Sequence, residues 1–200
     1  MASITRARLI IAAALAVACL FHVERPAAQD GSLAGQFLIA SPSMGDPRFQ
    51  RTVILMVRHD RNGAFGIVIN KPVGERPLTD ILGADDKEAT GTVKLHYGGP
   101  VEPQAGFVIH STDYRRANTV DIDAHVAMTS SREILHDIGR GTGPGKSLIA
   151  FGYAGWAPGQ LEGEIAGRAW YVSPATQSLI FDEDREKVWD IATSHRTQDL

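Results

Sequence analysis

The chain has 200 residues, 44% of them hydrophobic and 22% charged, with one cysteine and a formal net charge of −3. These are the proportions of an ordinary globular protein, and a chain this long can bury roughly 70% of its unfolded surface in one domain. The charge excludes a global electrostatic pull towards nucleic acid or anionic lipid, and the single cysteine excludes an internal disulfide.

The first predicted element is not part of the fold. Arg6 and Arg8 precede an uncharged apolar run from Leu9 to Phe21, and small residues follow at Ala27-Ala28. A basic start, a short apolar stretch and small residues before a cut read as a secretory signal peptide over residues 1–28, too short for a comfortable membrane span. Cleavage after Ala28 would leave a mature net charge of −5. The expectation is therefore export to the periplasm, with a lipid-modified Cys19 as a variant. The alternative is a cytoplasmic protein for which residues 1–28 are an artefactual extension. Contact with a membrane is expected only through this segment.

Residues 33–195 then read as one domain. Phe37-Leu38-Ile39-Ala40 is a short strand closed by Pro42. Residues 52–57 and 64–69 are β-rich, and Asn62-Gly63 between them predicts a hairpin, since both residue types accept positive φ. The arms are almost continuously apolar, so they should be buried on both sheet faces. Pro77 to Leu82 predicts a short helix stopped by Gly83, and Asp85-Asp86-Lys87-Glu88 a solvated loop. Strands are predicted at 93–97, 106–110, 120–122 and 126–128. Ser130 with Glu133 spells a capping box that opens a helix through Ile134, Leu135 and Ile138, ended by Gly139 or Gly141. Strands at 147–151 and 169–172 flank a short helix at 160–165. Leu179-Ile180-Phe181 reads as a last strand and residues 184–192 as a closing helix. Hairpins mixed with separate helices imply an α+β fold: one mixed, largely antiparallel sheet covered by a few short helices.

Several chemistries can be weighed on spacing. Gly141 to Ser147 invites a phosphate loop, but Arg140 stands where its first glycine belongs, and the segment leaves a helix instead of entering one. A helix C-cap followed by a turn explains it. His59, His96, His110, His125, His136 and His195 form no metal-binding pair, so neither metal nor cofactor is expected. His110 could serve Ser130 or Ser131 as the base of a metal-independent hydrolase or transferase, although no nucleophile elbow surrounds either serine. Basic residues are scattered, so direct nucleic-acid binding is not expected.

Three segments carry a family resemblance: Ser41-Pro42-Ser43-Met44-Gly45-Asp46-Pro47, Gly98-Gly99-Pro100-Val101, and Gly152-Tyr153-Ala154-Gly155-Trp156-Ala157-Pro158-Gly159-Gln160-Leu161-Glu162. Together they resemble the YqgE/AlgH family from about Gly35 to Trp189. The resemblance implies an accessory or regulatory protein with no agreed reaction. Family members usually begin near Gly35 and look cytosolic, and the extension here departs from that pattern. The polar and glycine positions that match, Asp46, Arg51, Asn70, Lys71, Gly98, Gly99, His110, Ser130, Ser131, Arg132, Trp156 and Gln160, are the candidate binding residues. Their expected occupant is a small anionic ligand or a protein partner. A pure interaction module anchored by an open apolar patch at Trp156 is a further alternative. Each position also has a structural reading: Gly98-Gly99-Pro100 as a corner, Ser130 as a cap, Trp156 as a core plug.

Overall fold

The computed structural model describes residues 31–83, 86 and 90–195. The expected signal segment, Cys19 and most of the acidic loop after Gly83 lie outside them. The described residues form ten strands, four α-helices and one π turn. The strands are β1 (Gln36–Ala40), β2 (Val53–Asp60), β3 (Gly63–Val68), β4 (Pro72–Pro77), β5 (Thr92–Tyr97), β6 (Val101–Ser111), β7 (Thr119–Asp121), β8 (Val126–Thr129), β9 (Ser147–Trp156) and β10 (Trp170–Pro174). The helices are α1 (Leu78–Leu82), α2 (Glu133–Gly139), α3 (Gln160–Ala166) and α4 (Val188–His195). This is the α+β architecture expected.

The sheet runs β10-β1-β2-β3-β9-β6-β8-β7, and β4 and β5 form a ribbon that joins β9. All pairs are antiparallel except β5 with β9. Strand β9 is the spine. It pairs with β6 along one edge, while its other edge is shared by β5 at residues 149–151 and β3 at 154–156. Glycines make that fork possible. A Cβ on Gly98 would stand 2.2 Å from the Gly152 carbonyl oxygen, and one on Gly152, at φ 76°, would stand 2.3 Å from that of Gly99. No side chain fits between backbones this close. Gly98 also donates to Phe151 O and accepts from Val68 N, tying all three strands together.

The continuous apolar runs are buried on both faces, as their composition requires. Phe37, Ile39, Leu55, Ile67 and Ile69 pack under α4 with Leu179, Ile180 and Trp189. Leu38, Ile54, Met56 and Val68 face the other way, towards Met44, Trp156, Leu161 and Trp170. A third cluster joins α1 and α2 to β6 and β9 through Leu78, Ile134, Val108 and Ile149.

The hairpin forms, with Asp60 paired to Gly63. At its tip only one of the two expected positive φ values appears. Only Gly63 takes positive φ (122°), while Arg61 and Asn62 stay in ordinary space and Asp60 Oδ1 accepts from Asn62 N at 2.7 Å. The loop after α2 is the C-cap expected in place of a phosphate loop. Gly141, at φ 72°, donates to Ile138 O and Thr142 N to Asp137 O, the bonds of a Schellman motif.

Other expectations fail for local reasons. Residues 178–182 form one π turn, closed by Glu183 N donating to Ser178 O, so Leu179 and Ile180 both enter the core where a strand would alternate them. Strand β4 was not foreseen because its six residues are all exposed and include two prolines and a glycine, which are poor strand formers; it pairs with β5. Ser130 caps nothing: α2 begins at Glu133 without a side-chain cap, and Ser131 is the residue whose hydroxyl holds the Glu133 carboxyl below its ordinary pKa. A turn at 185–187 delays α4 to Val188.

Candidate functional site

The resemblance segments after β1 and around the end of β9 meet over one face of the sheet. Trp156 ends β9, Trp170 begins β10, and α3 runs between them. Both indoles are buried, at 7% and 3% exposure, and lie edge to face at 6.1 Å between centroids. Phe49, from the loop after β1, meets Trp170 edge-on at 5.5 Å. The feature that organises the region is Glu164. Its Oε2 accepts from Trp156 Nε1 (2.9 Å) and Trp170 Nε1 (2.8 Å), and its Oε1 accepts from Gln160 Nε2 (2.9 Å). Gln160 in turn accepts from Ala157 N at 3.1 Å. Four residues on three elements are thereby locked, and Glu164 makes no ion pair among the described residues.

Beside this network lies a cavity of about 420 Å³, lined by Met44, Asp46, Phe49, Trp156, Glu164 and Trp170 among others. Asp46 stands at its rim with Arg48, whose guanidinium lies 2.6 Å from the carboxylate and holds its pKa below the ordinary range. The site thus unites Asp46, Trp156 and Gln160, three of the positions expected from sequence. It adds Glu164 and Trp170, which sequence reasoning missed. A signal for Glu164 was present, since it stands one helical turn after Gln160 on α3.

The remaining candidates are placed elsewhere. Asn70 is buried and stands in for a strand: its Oδ1 accepts from Val53 N and its Nδ2 donates to Arg51 O, both at 2.9 Å. Arg51 pairs with Asp190 of α4 at 2.7 Å and lies 4.5 Å over the Trp189 ring. Lys71 donates to Arg48 O and Gln50 O, anchoring the loop that carries Asp46, and partial burial lowers its pKa. Gly98 and Gly99 form the sheet fork. Ser130, Ser131 and Arg132 line a separate cavity of about 260 Å³ with Phe107 and Phe151, where Arg132 donates to Leu82 O at 2.6 Å.

His110 does not meet either serine. Its Nδ1 donates to Ser111 O at 2.9 Å, leaving Nε2 to accept from Thr129 Oγ1 at 2.8 Å. Thr129 is met by Thr119 Oγ1 at 2.7 Å, and Thr119 by Arg116 N at 2.9 Å. The ring is fully buried, and burial pushes its pKa down. Both nitrogens serve a structural chain, so the base needed to activate Ser130 or Ser131 is not free. Trp156 likewise offers no open apolar patch. It forms a wall, not a protruding anchor. Among the described residues, no three His, Cys, Asp or Glu side chains converge as a metal shell.

Comparison with known proteins agrees with this fold and these segments. The family model described as AlgH-like matches residues 37–200. A UPF0301 protein of Jannaschia sp. (strain CCS1) is 45% identical over 165 residues, 80% of this chain and 86% of the relative. A UPF0301 protein of Methylococcus capsulatus is 43% identical over 164 residues, 81% and 90% of the two chains. The solution structure of AlgH from Pseudomonas aeruginosa superposes with a TM-score of 0.71 at 38% identity, covering 82% of this chain and 88% of that one. A protein of Corynebacterium diphtheriae shares the fold alone, with a TM-score of 0.68 at 24% identity and coverage of 83% and 88%.

Proposed function

The chain belongs to the AlgH-like family, and from that premise we propose that it is an accessory binding protein and not a catalyst. Of the two occupants expected from sequence, the Trp156–Trp170 cavity suits a protein partner that inserts a cationic side chain. One observation supports this reading: Glu164 is held in place by three neutral donors and has no cationic partner among the described residues. A fixed carboxylate flanked by aromatic walls attracts an ammonium or guanidinium through charge and the ring quadrupoles. Asp46 is already neutralised by Arg48, so the uncompensated charge belongs to Glu164. The lining is set before binding, which lowers the ordering cost of association. A volume of about 420 Å³ accommodates one long side chain and its neighbours.

The test is a set of short peptides, identical except for a central Lys, Arg or Glu, assayed by thermal shift. Peptides with Lys or Arg should raise the melting temperature, and Glu164→Gln should abolish the effect. Equal responses to the Glu peptide, or an undiminished response in Glu164→Gln, would overturn the proposal.

A further inference from the structure

A second cleft lies across the sheet from the tryptophans, between the N-terminal part of β9, strand β5 and the turn that precedes α4. Its volume is about 270 Å³, and Lys94, His96 and Arg185 line it together with Leu148, Phe181 and Glu183. None of these residues was a candidate from sequence.

Two buried groups in it lack the partners their chemistry calls for. Arg185 is 6% exposed, yet makes no ion pair among the described residues. Among the described residues its guanidinium is held by the carbonyl oxygens of Ile69, Ile180 and Glu183 alone. Those four bonds leave one Nη2 N–H unassigned. A buried cation without a bonded anion is unfavourable unless something completes it. His96, 5% exposed, meets Ile149 O through Nδ1 at 3.1 Å, and its Nε2 has no hydrogen-bond partner. Because a carbonyl can only accept, Nδ1 carries the proton and Nε2 presents a bare lone pair. A buried acceptor left unmet is unusual in a folded protein.

We infer that this cleft binds the phosphate group of a small soluble phosphate monoester. The complementarity is specific in charge and in proton count. An anionic phosphate oxygen accepts from Arg185, with exposed Lys94 at the rim, while a P–O–H donates to His96 Nε2. A monoprotonated phosphate offers both kinds of oxygen near neutral pH. Sulfate and carboxylates offer only acceptors, and would need His96 to take up a proton. That uptake is opposed from within the cleft by burial and by the charges of Arg185 and Lys94, which hold the His96 pKa at about 4. Glu183 and Asp184 also line the cleft, and with Asp182 they act on Arg185 by charge without forming an ion pair with it. Asp182 is engaged by Lys146 at 2.7 Å and Asp184 by Lys187 at 4.0 Å. Leu148 and Phe181 supply an apolar wall for the organic part of the ester. This site is independent of the tryptophan cavity.

The experiment is calorimetric titration of the full chain at pH 7 with inorganic phosphate, glycerol 3-phosphate and sulfate at matched ionic strength. His96→Gln and Lys94→Ala are the comparison variants, and ring-proton NMR of His96 is recorded alongside. Arg185→Lys is a third variant, read only where it folds. Phosphate and its ester should bind, sulfate should bind about tenfold more weakly or worse, and His96→Gln should weaken phosphate by a similar factor. The His96 ring signals should shift on phosphate addition. Sulfate binding as tightly as phosphate, an unaltered affinity in His96→Gln, or a silent His96 ring would each overturn the inference.

Discussion

Replacing Glu164 by alanine should destabilise the domain by about 2–4 kcal/mol. The loss follows from the count of groups left without partners. Two indole N–H donors, on side chains 7% and 3% exposed, lose their only acceptor, and a buried unsatisfied donor costs about 1–3 kcal/mol. Gln160 also loses a bond but is exposed, so water replaces it. The adjoining cavity lets some water reach the indoles, which keeps the total below the full sum for two buried groups. Glu164→Gln should be milder, about 1 kcal/mol. Its single carbonyl oxygen can still accept from both indoles, but its amide then faces the Gln160 amide, donor against donor. Urea unfolding followed by circular dichroism, with unchanged m-values, measures both differences. A Glu164→Ala protein within 0.5 kcal/mol of the parent would refute the claim that this carboxylate organises the region.

Gly152→Ala should cost about 3 kcal/mol or more, because an L residue is strained at φ 76° and its Cβ would strike Gly99 O; failure to detect a drop in melting temperature would contradict the fork. Gly63→Val should lower stability by about 1 kcal/mol or more, since φ is 122° and the new Cβ would meet Trp156 O at 2.3 Å. Stability should also fall as the pH drops from about 6.5 to about 4. The folded state holds His96 neutral while the unfolded chain takes up its proton, so the loss reaches up to about 3 kcal/mol and then levels off. Denaturation midpoints compared at pH 7 and pH 4.5 should show this loss, and His96→Gln should reduce it. For the N-terminal segment, we propose export. Arginines at Ala13 and Leu15 should block it, since each charge costs roughly 2.5–3.5 kcal/mol at the centre of an apolar inserted helix. N-terminal sequencing of the secreted protein checks this, and a protein equally abundant in the cytoplasm with and without the arginines would contradict it.

How far the sequence reaches depends on the physics behind each feature. The β2–β3 hairpin was legible because a breaker pair between two apolar runs leaves few alternatives, and the burial of both faces followed from the lack of alternation. The π turn at 178–182 was not legible, because three apolar residues are too few to reveal a period. Strand β4 hid behind its prolines, its glycine and its full exposure. The turn-adjacent residues singled out as binding candidates are held in place in the structure, yet fixation serves two ends. Asn70, Lys71 and Gly98 hold backbone, whereas Asp46, Trp156 and Gln160 surround a cavity. Only the meeting of distant segments separates those cases. Glu164 had a faint helical-spacing signal, while a buried Arg185 bonded to carbonyls has none that composition or spacing could carry.

Whether the cavity beside Glu164 receives a cationic side chain can be read from the indole N–H signals of the three tryptophans. On titration with a lysine-centred peptide, the Trp156 and Trp170 signals should shift together and saturate. Trp189, whose Nε1 donates to Ala40 O on the opposite face, should stay still. A shift confined to Trp189, no shift at all, or the same response from a glutamate-centred peptide would contradict the account.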